Sequence, residues 1–293
     1  MKSKLNRKQI NFFKKSGYLI IKSFFKKKKI NIFNNWLKSK KSKDLKKSWT
    51  ETEPGVPIAV YSVLNEKKTP VNDLSSNKMM LELAAQLMNE KVYIWHSKVN
   101  YKDKWCGTAE YYHQDQVYWK DRGYKSDKML SCMIPLEDHN FKNAGLKLFD
   151  GSHKLGFIKH VPFININGLC KFMISQKKLD KLNKKHKLIE INVQPGDILF
   201  FHSSIVHGSS HNSSPKSRAI ILSQLNTFSN LPKNVKKNAI KFNLKRSKME
   251  YMEAKRRFNW FSNKYLGQKK SNKINFSAPI PIEEKQNLSL IHI

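Results

Sequence analysis

The sequence predicts a mainly β protein, an antiparallel sandwich or jelly roll with helices packed around it. Short apolar runs recur between residues 91 and 226, separated by turn signals such as "DGSH" (150–153) and "PGD" (195–197). Helical periodicity is confined to the flanks of that region. An apolar fraction of 39% and an aromatic fraction of 11% supply enough burial for a packed core.

The elements follow in order. Residues 6–16 read as a short helix that Asn6 can cap and Gly17 can end. "YLIIKSFF" (18–25) reads as a strand. Phe33, Trp36 and Leu37 have helical spacing, and Met80, Leu83, Ala84, Leu87 and Met88 make 76–90 an amphipathic helix. "KVYIWHSKVN" (91–100) is extended, and "MLSCMIPL" (129–136) is a buried strand ended near Pro135. "AGLKLF" (144–149) leads into the "DGSH" turn. "LIEINV" (188–193) alternates, with Ile189, Ile191 and Val193 on one face and Glu190 and Asn192 on the other. "ILFF" (198–201) and "SRAIILSQLN" (217–226) are strands. Beyond about 230 the chain reads as helical again, with Met249, Met252, Phe258 and Phe261 as contacts, Gly267 as a stop and an irregular tail. Residues 1–293 are taken as a single domain: 1–90 mostly helical, 91–228 the β core, and 229–293 a helical and irregular extension. There is no internal repeat.

The net charge of +34 is extreme. Its lysines are dispersed, as in "KKKK" (26–29), "KSKKSKDLKK" (38–47) and "KKLDKLNKKHK" (177–187), and Lys, Asn and Ile dominate together. That mix reads as solvated surface and codon bias rather than as a polyanion site. No paired Cys/His zinc spacing, basic zipper or RNP-like aromatic motif accompanies it, which argues against a nucleic-acid binder. Cys106, Cys132 and Cys170 form no CxxC pair and are odd in number, as in a reducing compartment. "MKSKLNRKQINFFKK" lacks the apolar core of a signal peptide, and no run reaches the roughly 20 apolar residues of a membrane span. The protein is expected to be soluble and cytoplasmic, as a monomer or a homodimer.

The chemistry concentrates in "YYHQDQVYW" (111–119). In an extended chain residues i and i+2 point to the same side, so His113 and Asp115 can converge on one point. A third ligand is available in "GDILFFHSSIVHGSSHNSSPKSRAIIL", which offers His202, His207 and His211. Two histidines and one carboxylate on one face of a metal leave open positions, the arrangement suited to non-haem Fe(II). A structural zinc site would close its shell. Arg218 can grip a carboxylate bidentately, as the far end of 2-oxoglutarate requires.

His113-x-Asp115, "NAGLKLFDGSHK" (143–154) and "HGSSHNSSPKSR" (207–218) together resemble the phytanoyl-CoA dioxygenase family of Fe(II)/2-oxoglutarate-dependent oxygenases. The resemblance spans roughly residues 10–226. It is strongest over 91–154, where the chain is most similar to ectoine hydroxylase-like members. It implies a double-stranded β-helix (jelly-roll, cupin-like) core with flanking helices and a dioxygenase, an oxidoreductase that hydroxylates a small molecule. The implied cofactors are Fe(2+), 2-oxoglutarate as co-substrate and O2, with succinate and CO2 as co-products. It implies His113, Asp115 and His207 as iron ligands, and Arg218 and Lys102, with Asn100 beside it, as 2-oxoglutarate contacts. Ser131 is a further carry-over to that pocket. Trp119 matches a tryptophan of the substrate site. His96 stands where ectoine hydroxylases carry a substrate-holding Gln, and the sequence after Arg218 departs from theirs. The general chemistry is therefore implied, and ectoine itself is not.

The plainer readings stand beside these. His202 can be a core histidine, His211 a turn residue, and His153 a loop residue that holds the "DGSH" turn. Trp119 and Tyr118 can be core aromatics, and Lys102 a surface lysine. A halogenase on the same fold would need a small residue in place of Asp115. A non-catalytic metal- or polyanion-binding cupin-like protein is the reading from another class.

Overall fold

The structure, a computed structural model, describes residues 4–38, 52–53, 56–62, 70–102, 104–105, 109–120, 124–164 and 170–230. The expected C-terminal helix with Met249, Met252, Phe258, Phe261 and Gly267 lies outside the described residues, as do Cys106 and the side chains of Leu37, His96 and Cys170.

The described chain begins with α1 (Arg7–Ser16), β1 (Tyr18–Ile21), α2 (Lys27–Lys38), β2 (Thr52–Glu53), β3 (Val56–Ser62), α3 (Pro70–Ser75) and α4 (Lys78–Met88). It continues through β4 (Val92–Lys102), β5 (Glu110–His113), β6 (Met129–Pro135), β7 (Leu146–Phe149), β8 (Val161–Ile164) and β9 (Cys170–Met173). After α5 (Gln176–Lys185) come β10 (Leu188–Glu190), β11 (Ile198–His202), β12 (His207–Ser209) and β13 (Arg218–Thr227). All strand pairs are antiparallel. A seven-stranded sheet runs β1-β11-β6-β13-β4-β3-β2, a four-stranded sheet runs β10-β7-β12-β5, and β8 pairs with β9. The two larger sheets make the jelly roll.

Local chemistry explains the boundaries. Asn6 caps α1 in a reciprocal box with Gln9, and Gly17 at φ 81° closes it by donating to Phe13 O. Asn77 and Asn89 do the same work at the ends of α4, Asn89 in the left-handed region. The strand expected over 18–25 stops at Ile21, because Ser23 adopts φ 52° and turns the chain. Phe24 and Phe25 are buried nonetheless. The run "KKLDKLNKKHK", read above as solvated surface, forms most of α5, which buries Leu179 and Leu182 and leaves most of its lysines outside.

The large sheet is covered on both faces, so β6 is buried along its whole length. One face takes the helices: Phe13, Ile30, Phe33, Met80, Leu83 and Leu87 pack with Leu130, Ile134, Ile198, Phe200 and Ile221. Cys132 lies in this layer, and burial pushes its thiol pKa up. Its other face meets the small sheet through Met133, Leu199, Phe201 and Ile220 against Leu148, Ile191 and Val193. This inter-sheet layer is apolar at one end and polar at the other, and the polar end carries the candidate site.

The "PGD" turn locks the N-terminal strand onto this frame. Asp197 accepts from the backbone N–H of Ser23 and of Gln194 and pairs with Lys22. Gly196 sits at φ 101°, and a Cβ there would lie 2.5 Å from Phe25 O. Both the dihedral and the contact require glycine. Gly196→Ala should therefore destabilise the protein by at least about 2 kcal/mol, read from urea midpoints at unchanged m. An unchanged midpoint would contradict this packing.

Candidate metal centre

The site is built on one strand pairing. β12 runs antiparallel to β5 with His207 opposite His113. A β-bulge follows between His207 and Ser209. Gly208 lies in it, where a Cβ would come within 2.8 Å of Glu110 O, so the residue after His207 has no room for a side chain. The two imidazole rings lie 4.5 Å apart at 50°.

Both rings are held by the same device. His113 Nδ1 lies 2.7 Å from Tyr111 O, and His207 Nδ1 lies 3.1 Å from Ile205 O, each the carbonyl two residues upstream. A carbonyl only accepts, so each Nδ1 carries a proton and Nε2 is the nitrogen left for a metal. The chain leaves β5 after His113. Gln114 stays extended at φ −112°, and Asp115 opens a 3-10 turn (Asp115–Tyr118). The i, i+2 geometry therefore survives although the strand ends. Asp115 Oδ1 lies 3.6 Å from both His113 Nε2 and His207 Nε2. Its other oxygen accepts from Ser131 Oγ at 2.7 Å.

Among the described residues His113, Asp115 and His207 form the group able to hold a metal ion, all three buried, with ligand atoms within 4.8 Å of one another. Burial disfavours the Asp115 carboxylate, but His207, His113 and the Ser131 hydroxyl outweigh it and hold the carboxyl well below the usual range. Burial, with His113 alongside, brings His207 down to about 4, against the pull of Asp115. The donor set fits Fe(II): two imidazoles with Nε2 turned to the centre and a carboxylate held from behind, converging from one side.

His202 and His211 stand outside this group. His202 Nδ1 accepts from Ser204 N at 3.1 Å, and its ring lies 5.2 Å from that of His153. His153 reaches Lys14 O, tying the "DGSH" turn to α1.

The residues expected to contact 2-oxoglutarate line up on β4 and β13. Lys102 pairs with Arg218, and Asn100 with Ile220. In a chain of +34 net charge, Lys102 and Arg218 are the buried Lys and Arg among the described residues, at 2% and 5% exposure. Lys102 Nζ donates to Ser209 Oγ at 2.8 Å and to Ser210 O at 2.7 Å, two and three residues beyond His207. Arg218 Nη1 donates to Ala144 O at 2.6 Å, while its Nε is buried without a partner among the described residues. Burial lowers the guanidinium pKa to about 10, so it stays charged at neutral pH. A buried guanidinium with an unused N–H fits an anionic ligand. Asn100 Oδ1 is also without a partner among the described residues.

At the other end of the same strands, His96 and Ser131 both flank Gln224 of β13 in register. Gln224 is buried with Oε1 unpartnered. Trp119 is buried against Trp95, with Met129, Tyr118 and Tyr124 around them. The β8–β9 hairpin packs over this side, Phe163 on Tyr111 and Phe172 on Tyr118.

Several of these residues carry no motif. Gln114, between the two candidate ligands, is fully buried and clamps two loops. Its Nε2 donates to Gly156 O and Ser204 O at 2.8 and 2.6 Å, and its Oε1 accepts from Ile158 N at 2.9 Å. Its backbone N–H donates to His160 Nε2 at 2.9 Å. Gln224 had a signal, as a long amide inside the apolar run "AIILSQLN".

The chain was compared with known proteins. Residues 13–220 match the family model described as phytanoyl-CoA dioxygenase. An ectoine dioxygenase of Sphingopyxis alaskensis is 24% identical over 238 residues, covering 77% of each chain. An L-proline trans-4-hydroxylase of Streptomyces griseoviridis is 26% identical over 164 residues, covering 52% of this chain and 61% of that one. Among solved structures, EctD from S. alaskensis superposes with a TM-score of 0.66 in its Fe-bound form, at 22% identity over 78% of this chain and 79% of that one. Its complex with 2-oxoglutarate and 5-hydroxyectoine gives 0.65 at 21% identity, covering 78% of each chain.

Removing the Ser131 hydroxyl leaves Asp115 free to rotate. Ser131→Ala should weaken divalent-metal binding by about 10- to 100-fold, measured calorimetrically with Mn(II). Equal affinities would show that the serine does not orient the carboxylate.

Proposed function

The chain belongs to the phytanoyl-CoA dioxygenase family, and on that footing we infer that it is an Fe(II)- and 2-oxoglutarate-dependent hydroxylase of a small molecule. The observation that carries this is the buried space between the two sheets, where His113–Asp115–His207 at the small sheet and the cations Lys102 and Arg218 of the large sheet come together.

Iron(II), when bound, supplies the redox chemistry with O2, and 2-oxoglutarate supplies two electrons as it decarboxylates to succinate and CO2. The protein's part is positional. His113 and His207 offer Nε2 because their Nδ1 protons are committed to backbone carbonyls. Asp115 offers Oδ1 because Ser131 occupies Oδ2. A carboxylate at this position distinguishes the site from a halogenase, which would need that coordination place for chloride. Arg218 and Lys102 stand ready to neutralise the distal carboxylate of the co-substrate. The Trp119–Trp95 cluster and the β8–β9 hairpin exclude water from the opposite side.

The substrate-side reading is a small, amino-acid-derived molecule. Support comes from the buried aromatic cluster at Trp119, the Gln224 amide oxygen, which has no partner among the described residues, and the register position of His96 beside Gln224. The curated relatives named above act on ectoine and proline, and molecules of that size and polarity suit an aromatic wall with one buried amide. A cytoplasmic location agrees with the buried free thiol of Cys132. No helix among the described residues is long and apolar enough to cross a membrane.

Purified protein with Fe(II), 2-oxoglutarate and O2 should form succinate, accelerated by L-proline- or ectoine-like compounds. His113→Ala should reduce this to background, and succinate formation unchanged in that variant contradicts the reading. Arg218→Leu should raise the 2-oxoglutarate KM by about tenfold to a hundredfold with a smaller effect on kcat. A KM equal to that of the wild type would remove Arg218 from the co-substrate site.

A further inference from the structure

We propose that His139 is a third donor of the 2-oxoglutarate pocket, giving its Nδ1–H to the distal carboxylate beside Arg218 and Lys102 and helping to select a dicarboxylate. The inference rests on the co-substrate reading above.

His139 lies between β6 and β7 and is fully buried. Its backbone is fixed by two reciprocal hydrogen bonds with Val193, each of 2.9 Å, in an antiparallel bridge. Val193 belongs to the layer between the two sheets. The ring is fixed as well. Nε2 accepts from the backbone N–H of Leu146 at 2.7 Å. A nitrogen that accepts carries no proton, so the imidazole is neutral and its proton resides on Nδ1. That N–H is buried and has no partner among the described residues. Buried donors are nearly always satisfied, so an unused one in a rigid setting points to a missing acceptor.

The surroundings say what acceptor would fit. Arg218 Nη1 donates to Ala144 O, two residues before the Leu146 that holds His139. Leu146 pairs with Ser209, which receives the Lys102 ammonium. Side chains from three elements, His139, Arg218 and Lys102, therefore meet within one short stretch formed by residues 144–146 and Ser209. Arg218 Nε is likewise a buried N–H without a partner among the described residues. Burial, then Arg218 and Lys102, keep the His139 ring neutral, so it adds a donor without adding a third repelling charge. A carboxylate has four lone-pair sites and can accept from several donors at once. A 2-oxo acid without a distal carboxylate would leave these donors unmet.

The test uses the full chain loaded with Zn(II), which supports binding without turnover and is diamagnetic. Calorimetry compares 2-oxoglutarate with oxalate, which chelates the metal and has no distal carboxylate. His139→Leu should weaken 2-oxoglutarate by about tenfold to a hundredfold and leave oxalate unchanged. Nitrogen-15 NMR of the wild-type histidines should show the His139 Nδ1–H signal shifting with 2-oxoglutarate and not with oxalate. Equal losses for both ligands, or an Nδ1–H signal that 2-oxoglutarate does not move, would overturn the proposal. Wild-type protein that binds oxalate but not 2-oxoglutarate would overturn the co-substrate reading and this inference with it.

Discussion

The antiparallel pairing of β5 with β12 puts His113 directly across from His207, and the rest of the site depends on that register. Directly opposite residues of an antiparallel pair project from the same face, a few ångströms apart. A slip of one residue would send one ring to the other side of the sheet. Two features hold the register. Gly208 lets β12 approach the bulged strand β5 closely at Glu110, and Gln114 fastens the loops on either side with three side-chain hydrogen bonds. Register then decides chemistry, because the carbonyls of Tyr111 and Ile205 fix both tautomers toward the centre.

The second constraint is charge burial. A cation removed from water is costly unless something replaces its hydration. Lys102 has its replacement in Ser209 and Ser210. Arg218 has it only in part, through Ala144. The incomplete satisfaction of Arg218 gives an anionic ligand a differential advantage in this pocket. It also separates these two residues from the dispersed surface lysines, such as those of α5. Glu110 marks the limit of the basic region. Burial alone would raise its pKa, but Lys171 and then His113 and Lys102 bring it down to about 2, so it remains an anion paired with Lys171.

Much of this was legible in the sequence because it rests on local rules. Asn6 and Gly17 state the ends of α1, the alternation in "LIEINV" states which side faces the core, and the family resemblance of the segments around His113, Asp115, His207 and Arg218 points to the site. What was not legible depends on partners distant in the chain. α5 hid inside a lysine run because only Leu179 and Leu182 mark its buried face. The strand at 18–25 broke at Ser23, where Asp197, far along the chain, captures the backbone N–H. His139 has no motif, and Gln224 stands out only as an amide inside an apolar run. They acquire meaning from what fails to touch them in the fold, and single-sequence patterns do not encode that. The choice among His202, His207 and His211 became clear once strand pairing was known, since His207 is the one opposite His113.

The central claim is that an iron site built on the small sheet lies beside a carboxylate site built on the large sheet, in the buried space between them. Iron-edge anomalous diffraction from anaerobic crystals grown with Fe(II) and 2-oxoglutarate tests it most directly. The account predicts one strong peak bonded to His113 Nε2, His207 Nε2 and Asp115 Oδ1, with the co-substrate's distal carboxylate on Arg218. A peak at His202 or His211, or a co-substrate bound away from Arg218, would contradict it.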